Sequence, residues 1–93
     1  MLRITGTSED EKTVTLRLDG RVVGTWVSYL EKLCLHHKNE ENKTVVLDFS
    51  GVTFIDNKGL RMLEKIKDER IKIANYSLFV GALLRNLITS NKG

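Results

Sequence analysis

The segment Asp56–Leu60 has the chemically most informative residue spacing in the chain. It follows an apolar run and precedes a helical pattern, which places it where a strand ends and a helix begins. Such a place exposes backbone N–H groups and the positive end of the helix dipole, which favour ligands and partners. Asp56 or Asn57 can cap the helix with a side-chain oxygen, and Gly59 lets a neighbour or a ligand approach the backbone closely. The plainer interpretation is a well-capped helix.

Lys58 has an unfavourable position in this segment. A cation at a helix N-terminus is disfavoured by a few tenths of a kcal/mol to about 1 kcal/mol. One explanation is that Lys58 faces an acidic partner or an anionic ligand, and the other is a solvated lysine without a role. The residues that we take as candidates for partner or anion binding are Asp56, Asn57, Lys58, Gly59 and Leu60.

The remaining reactive side chains predict no catalytic, metal or cofactor site. His36 and His37 are adjacent, so on a helix they point about 100° apart and are expected to be solvated instead of binding one metal together. Asp48 and Asp56 can approach each other at the end of the sheet, but no histidine or cysteine completes an acid–base or metal site there. Cys34, the single cysteine, lies in an apolar helical pattern and is predicted to be a small buried hydrophobe. The sequence therefore does not predict an enzyme.

Composition limits the classes of protein that remain. The 93 residues suit one domain, and no apolar run approaches the roughly 18 residues of a membrane span. The N-terminus does not resemble a secretory signal, so a cytoplasmic location is expected. Lys and Arg number 15 against 12 Asp and Glu, a net charge of +3, but acidic clusters at 9–11, 40–41 and 68–69 interrupt the basic residues. Nucleic-acid binding is therefore not predicted.

The first half of the chain predicts two strands and a helix. Apolar residues alternate with polar ones at Leu2 and Ile4 and again at Val14, Leu16 and Leu18, which is typical of half-buried strands. We expect a polar hairpin loop over 7–12, and an end of the second strand at Asp19-Gly20. From Val23 apolar residues recur every three or four positions, which predicts an amphipathic helix and then a solvated loop over 36–43.

The second half predicts two further strands and two helices. The apolar run Thr44–Phe49 is typical of a central strand covered on both faces. A helix is expected from Leu60 to about Arg70, and a short strand over Ile71–Ala74. The final helix is predicted by apolar residues at helical spacing, which are Phe79, Val80, Leu83, Leu84, Leu87 and Ile88. The order β-β-α-β-α-β-α predicts an α/β fold in one domain over 1–93, with a mixed four-stranded sheet whose first strand is antiparallel and others parallel.

The segment Val45–Leu60 resembles the signature of STAS domains, the family of bacterial anti-sigma factor antagonists and of the cytoplasmic tails of sulfate transporters. The shared pattern is an apolar strand ending in an acidic residue, then Phe-hydrophobe-Asp, and Gly-Leu at the start of a helix. Leu16–Gly20 and Ile73–Ser77 are similar to two further family segments. The resemblance covers nearly the whole chain and implies a STAS-like fold.

The resemblance implies a regulatory protein in a partner-switching pathway that controls transcription. In the antagonists, the residue directly after the motif aspartate is a serine or threonine that a partner kinase, itself the anti-sigma factor, phosphorylates. Asn57 stands at this position and has no hydroxyl group to phosphorylate. A second departure is Val23, where many antagonists have an acidic residue. Binding is therefore expected to be independent of phosphorylation.

Three functions follow as hypotheses. The first is a STAS regulator that binds a protein partner, such as a kinase-like anti-sigma factor, through the Asp56–Leu60 segment. The second is a small regulatory subunit of a membrane transporter. The third is a module that binds a nucleotide or another anion at the N-terminus of the second helix, through backbone N–H groups and Lys58.

Overall fold

A computed structural model describes the backbone of residues 1–90 and the side chains of residues 1–85. Its elements follow the predicted order. Their bounds are β1 Leu2–Glu9, β2 Thr13–Val22, α1 Thr25–Leu35, a π-helical turn His36–Glu40, β3 Thr44–Ile55, α2 Asn57–Ile66, β4 Ile71–Ala74 and α3 Leu78–Ser90.

The four strands form one mixed sheet in the order β1-β2-β3-β4. β1 pairs antiparallel with β2, whereas β2, β3 and β4 are parallel, which confirms the predicted topology. The connections through α1 and α2 both lead to the next strand on the same side. Because such crossovers are right-handed, the two helices pack on one face of the sheet.

This topology corrects the prediction that β3 is covered on both faces. Val45, Leu47 and Phe49 are buried, but the residues between them are only half-buried. The second face of the sheet therefore borders solvent. It carries charged side chains, among them Arg17, which is hydrogen-bonded to Asp19.

The β1–β2 hairpin has longer strands than predicted. Glu9 still pairs with Val14, so the loop is confined to residues 10–12. The Asp10 carboxylate accepts hydrogen bonds from the backbone N–H groups of Lys12 and Thr13, both at 2.8 Å. Such a side-chain turn closes a hairpin within a few residues, and the polar residues before it can remain in the strand.

β2 also continues past the predicted end at Asp19-Gly20. Gly20 has φ +115°, and a Cβ there would lie 2.2 Å from the Met1 carbonyl oxygen, so the glycine permits close strand contact without ending the strand. The chain turns instead at Gly24, whose φ is +60°. α1 therefore begins at Thr25, and Val23 precedes it.

Two helix ends differ from the prediction. The region after α1 forms a π-helical turn before it becomes a loop, and within it the His37 side chain is only 13% exposed, contrary to the expected solvation. α2 ends at Ile66 and not near Arg70, because the Asp68 carboxylate accepts hydrogen bonds from the N–H groups of Arg70 and Ile71. Leu87 and Ile88 contributed to the prediction of the final helix, and their side chains lie outside the described residues.

The core lies between the sheet and the helices. Cys34 is fully buried in it, as predicted, and burial raises the pKa of its thiol to about 12, with Glu31 adding to the rise. The thiolate is therefore scarce near neutral pH, and Cys34 contributes packing. Within the described residues, no helix is long and apolar enough to cross a membrane.

Candidate functional site

The Asp56 carboxylate joins the starts of two helices. Asp56 is the N-cap of α2, and its Oδ1 accepts a 2.7 Å hydrogen bond from the N–H of Gly59. Its Oδ2 accepts a 3.1 Å hydrogen bond from the N–H of Gly24, the residue before α1. Of the two predicted capping residues, Asp56 is the one that caps. The β2–α1 and β3–α2 loops are thereby fixed to each other.

Gly59 allows the first turn of α2 to rest on the ends of β2 and β3. It is buried, and a Cβ there would lie 2.9 Å from the Val22 carbonyl oxygen and 2.8 Å from Ile55 Cγ2. The neighbour that approaches Gly59 is thus the chain itself. The Asp56 N–H also donates to the Val22 carbonyl, at 3.2 Å, so β2, β3 and α2 meet at one point.

The other predicted site residues surround this junction with different exposure. Asn57 and Lys58 are exposed, whereas Leu60 is half-buried and packs against the core. No carboxylate among the described side chains pairs with Lys58. Its charge is therefore uncompensated beside a helix N-terminus, where the dipole disfavours a cation.

An aromatic cluster next to this loop was not predicted. Phe54 stacks on Phe79 with ring centroids 6.4 Å apart, and the Arg21 guanidinium lies 5.4 Å from the centroid of Phe54. Phe79 is 55% exposed and the neighbouring Leu78 is 96% exposed. Strand alternation, with Ile55 directed inward, was a signal that Phe54 faces outward. The contact with Phe79 joins residues 25 positions apart and left no pattern in the sequence.

Asp48 and Asp56 do not form a pair. Asp48 lies within β3 and accepts hydrogen bonds from the Ser50 N–H at 2.9 Å and from Asn75 Nδ2 at 3.3 Å. Asp56 follows β3 and accepts hydrogen bonds from the N–H groups of the two glycines. The Ser50 hydrogen bond lowers the pKa of Asp48, and Asn75 and Arg17 lower it further. Asp48 is therefore a stable anion, and a shared-proton pair with Asp56 is not available for acid–base chemistry.

The local electrostatics favour a protein surface over an anion site. A bound anion at the start of α2 would meet the Asp56 carboxylate, which already accepts the hydrogen bond from Gly59. The same carboxylate stabilises the positive end of the α2 dipole. What remains accessible is a fixed backbone with Asn57 and Lys58 at its surface and exposed aromatic groups beside it.

Comparison with known proteins gives one family and one fold. The family model of the STAS domain matches residues 5–82. The structure of the anti-sigma factor antagonist SpoIIAA in its unphosphorylated form is similar, with a TM-score of 0.64 and 18% sequence identity over 90% of this chain and 83% of that one. No curated protein sequence matches.

Proposed function

The chain belongs to the STAS domain family, and we propose that it is a non-catalytic regulatory protein that works by binding a protein partner. The proposed docking surface, which we call the β3–α2 surface, consists of Asn57, Lys58 and the exposed part of Leu60. Asp56 and Gly59 lie beneath it and fix its backbone. The similarity to an anti-sigma factor antagonist supports this role.

The observation that carries the proposal is the double hydrogen bond of Asp56. One carboxylate holds the loop before α1 and the first turn of α2, so the β3–α2 surface is ordered before any partner arrives. A preformed surface loses little conformational entropy on binding, and this increases affinity. Lys58 then directs an unpaired positive charge to an acidic group of the partner.

We further propose that binding does not depend on phosphorylation of this loop. Asn57 occupies the position where the antagonists have a hydroxyl group, and a carboxamide does not accept a phosphoryl group. A phosphate there would add about −1.5 to −2 charge next to the partner. Without that change, the complex is constitutive or is controlled at another place, such as the concentration of the partner.

The identity of the partner separates the two pathways that the family suggests. A kinase-like anti-sigma factor would make the protein an antagonist in transcription control, whereas a transporter component would make it a regulatory subunit. The β3–α2 surface serves both, since it supplies contacts and no reactive group. A nucleotide or another anion is less favoured as the ligand, because the Asp56 carboxylate at the start of α2 would repel it.

Charge reversal at Lys58 tests the proposal. We expect affinity purification of the tagged wild-type chain from its own cells to yield a specific protein, and Lys58→Glu to weaken its binding by about tenfold or more, because a favourable charge contact becomes repulsive. Lys72→Glu on β4 is the matched control with the same change in net charge, and it should bind like wild type. Phosphatase treatment of the chain should leave the captured amount unchanged.

Two results would refute the proposal. One is that no protein is captured above background by the folded wild-type chain. The other is that Lys58→Glu and Lys72→Glu weaken binding equally, which would indicate a nonspecific effect of net charge and no role for the β3–α2 surface.

A further inference from the structure

A group of metal-ligating side chains lies at the end of the strands opposite to Asp56. Glu9 is the last residue of β1, and His37 and Glu41 belong to the region of the π-helical turn. One ligand atom from each of these three residues lies within 4.8 Å of the others. We call this group the Glu9–His37–Glu41 cluster. Its members come from segments 28 residues apart in the chain.

The π-helical turn explains how a histidine pair and Glu41 meet. The Glu41 N–H donates to the His36 carbonyl oxygen at 3.3 Å, an i to i+5 hydrogen bond that replaces the α-helical spacing. His37 Nδ1 lies 2.8 Å from Glu41 Oε1, and His36 Nε2 lies 3.5 Å from Glu41 Oε2. Both imidazoles therefore face one carboxylate, which adjacent histidines on a regular helix do not readily achieve. π-bulges often occur at functional sites.

The cluster already holds a positive charge. Lys43 Nζ is hydrogen-bonded to Glu9 Oε2 and lies 3.8 Å from Glu41 Oε1. The Lys43 side chain is only 14% exposed, so its ammonium group is directed into the cluster and away from open solvent. The two carboxylates thus form a place that attracts a cation. His37 adds an imidazole nitrogen, which can be a metal ligand.

We propose that the Glu9–His37–Glu41 cluster binds a divalent transition-metal ion, Zn²⁺ first among them. One imidazole nitrogen and two carboxylate oxygens are ligands that zinc accepts, and water completes a tetrahedral site with three protein ligands. The imidazole favours zinc over Mg²⁺ or Ca²⁺, which prefer oxygen ligands. His36 orients Glu41 through its second oxygen. The Lys43 side chain moves outward when the metal enters, so Lys43 competes with the metal.

This competition gives the experiment variants with opposite expected effects. In calorimetry of the intact chain with ZnCl₂, His37→Gln and Glu9→Gln should lower the affinity by about tenfold or more, because each removes a ligand. Lys43→Gln should raise it by about fivefold, because it removes a competing positive charge. Glu40→Gln is the control next to the cluster, and it should bind zinc like wild type.

NMR of the wild-type chain provides a measurement that needs no variant. Added ZnCl₂ should shift or broaden the ring resonances of His37 more than those of His36, and MgCl₂ should leave both unchanged. The proposal is overturned if millimolar ZnCl₂ produces no binding heat, if His37→Gln binds as tightly as wild type, or if His36 responds alone. The last result would identify an adventitious ion on an exposed histidine. None of these outcomes affects the β3–α2 surface, which lies at the other end of the strands.

Discussion

Gly59→Ala is expected to destabilise the fold by about 2 to 3 kcal/mol, as overpacking in a closely packed place typically does. The added Cβ would lie 2.9 Å from the Val22 carbonyl oxygen, which is backbone and cannot rotate away, and 2.8 Å from Ile55 Cγ2. α2 must then move off the ends of β2 and β3. This movement also lengthens the hydrogen bond from the Gly59 N–H to Asp56, which is 2.7 Å in the native fold.

Thermal and urea unfolding measure this effect. A loss of 2 to 3 kcal/mol lowers the Tm of a domain of this size by roughly 10 to 20 °C. Gly6→Ala is the matched control, because a Cβ at Gly6 has no atom within 4 Å. It should be neutral or slightly stabilising. Equal stability of the Gly59→Ala and Gly6→Ala variants would contradict the close contact between α2 and β2.

Asp56→Ala is expected to cost about 2 to 3 kcal/mol, a sum of a lost helix cap and a second lost hydrogen bond to a charged group. Both carboxylate oxygens are used, one by the Gly59 N–H and one by the Gly24 N–H. The loss frees the loop before α1 from the start of α2. The β3–α2 surface then has to be ordered during binding, so affinity for the partner should fall together with stability.

Asp56→Asn separates the two hydrogen bonds. A carboxamide has one acceptor oxygen, so asparagine can retain the cap to Gly59 and lose the bond to Gly24. Its free energy of unfolding, measured in urea, should fall between those of wild type and Asp56→Ala. If Asp56→Asn and Asp56→Ala are equally unstable, both oxygens act as one unit. If Asp56→Ala is as stable as wild type, the bridge does not hold the two loops.

Much of the fold follows from local patterns in the sequence. Strand alternation, the apolar run of β3 and helical spacing predict the four strands and three α-helices in order, because each buries one face against the same core. The π-helical turn, which has no buried residue, was predicted only as a loop. A helix cap at Asp56 or Asn57 was predictable because both residue types are favoured N-caps, but the sequence left open which of the two caps α2. The burial of Cys34 followed from its place in the apolar face of α1.

Features that depend on distant contacts were not predictable. The number of covered faces of β3 depends on the strand order, which one apolar run such as Thr44–Phe49 does not encode. The stacking of Phe54 on Phe79 and the meeting of Glu9 with His37 likewise join remote segments. The early end of α2 has a local cause that the helical spacing did not reveal, because the Asp68 carboxylate accepts hydrogen bonds from N–H groups two and three residues later.

The most direct test of the proposed function is to map the partner's footprint on the chain. Backbone NMR of the labelled chain, alone and with the captured partner, should show its largest shift changes at Asn57, Lys58 and Leu60. The resonances of the hairpin loop 10–12, at the opposite end of the strands, should be unchanged. Changes confined to that loop or to the charged face around Arg17, with the β3–α2 surface unaffected, would contradict the assignment.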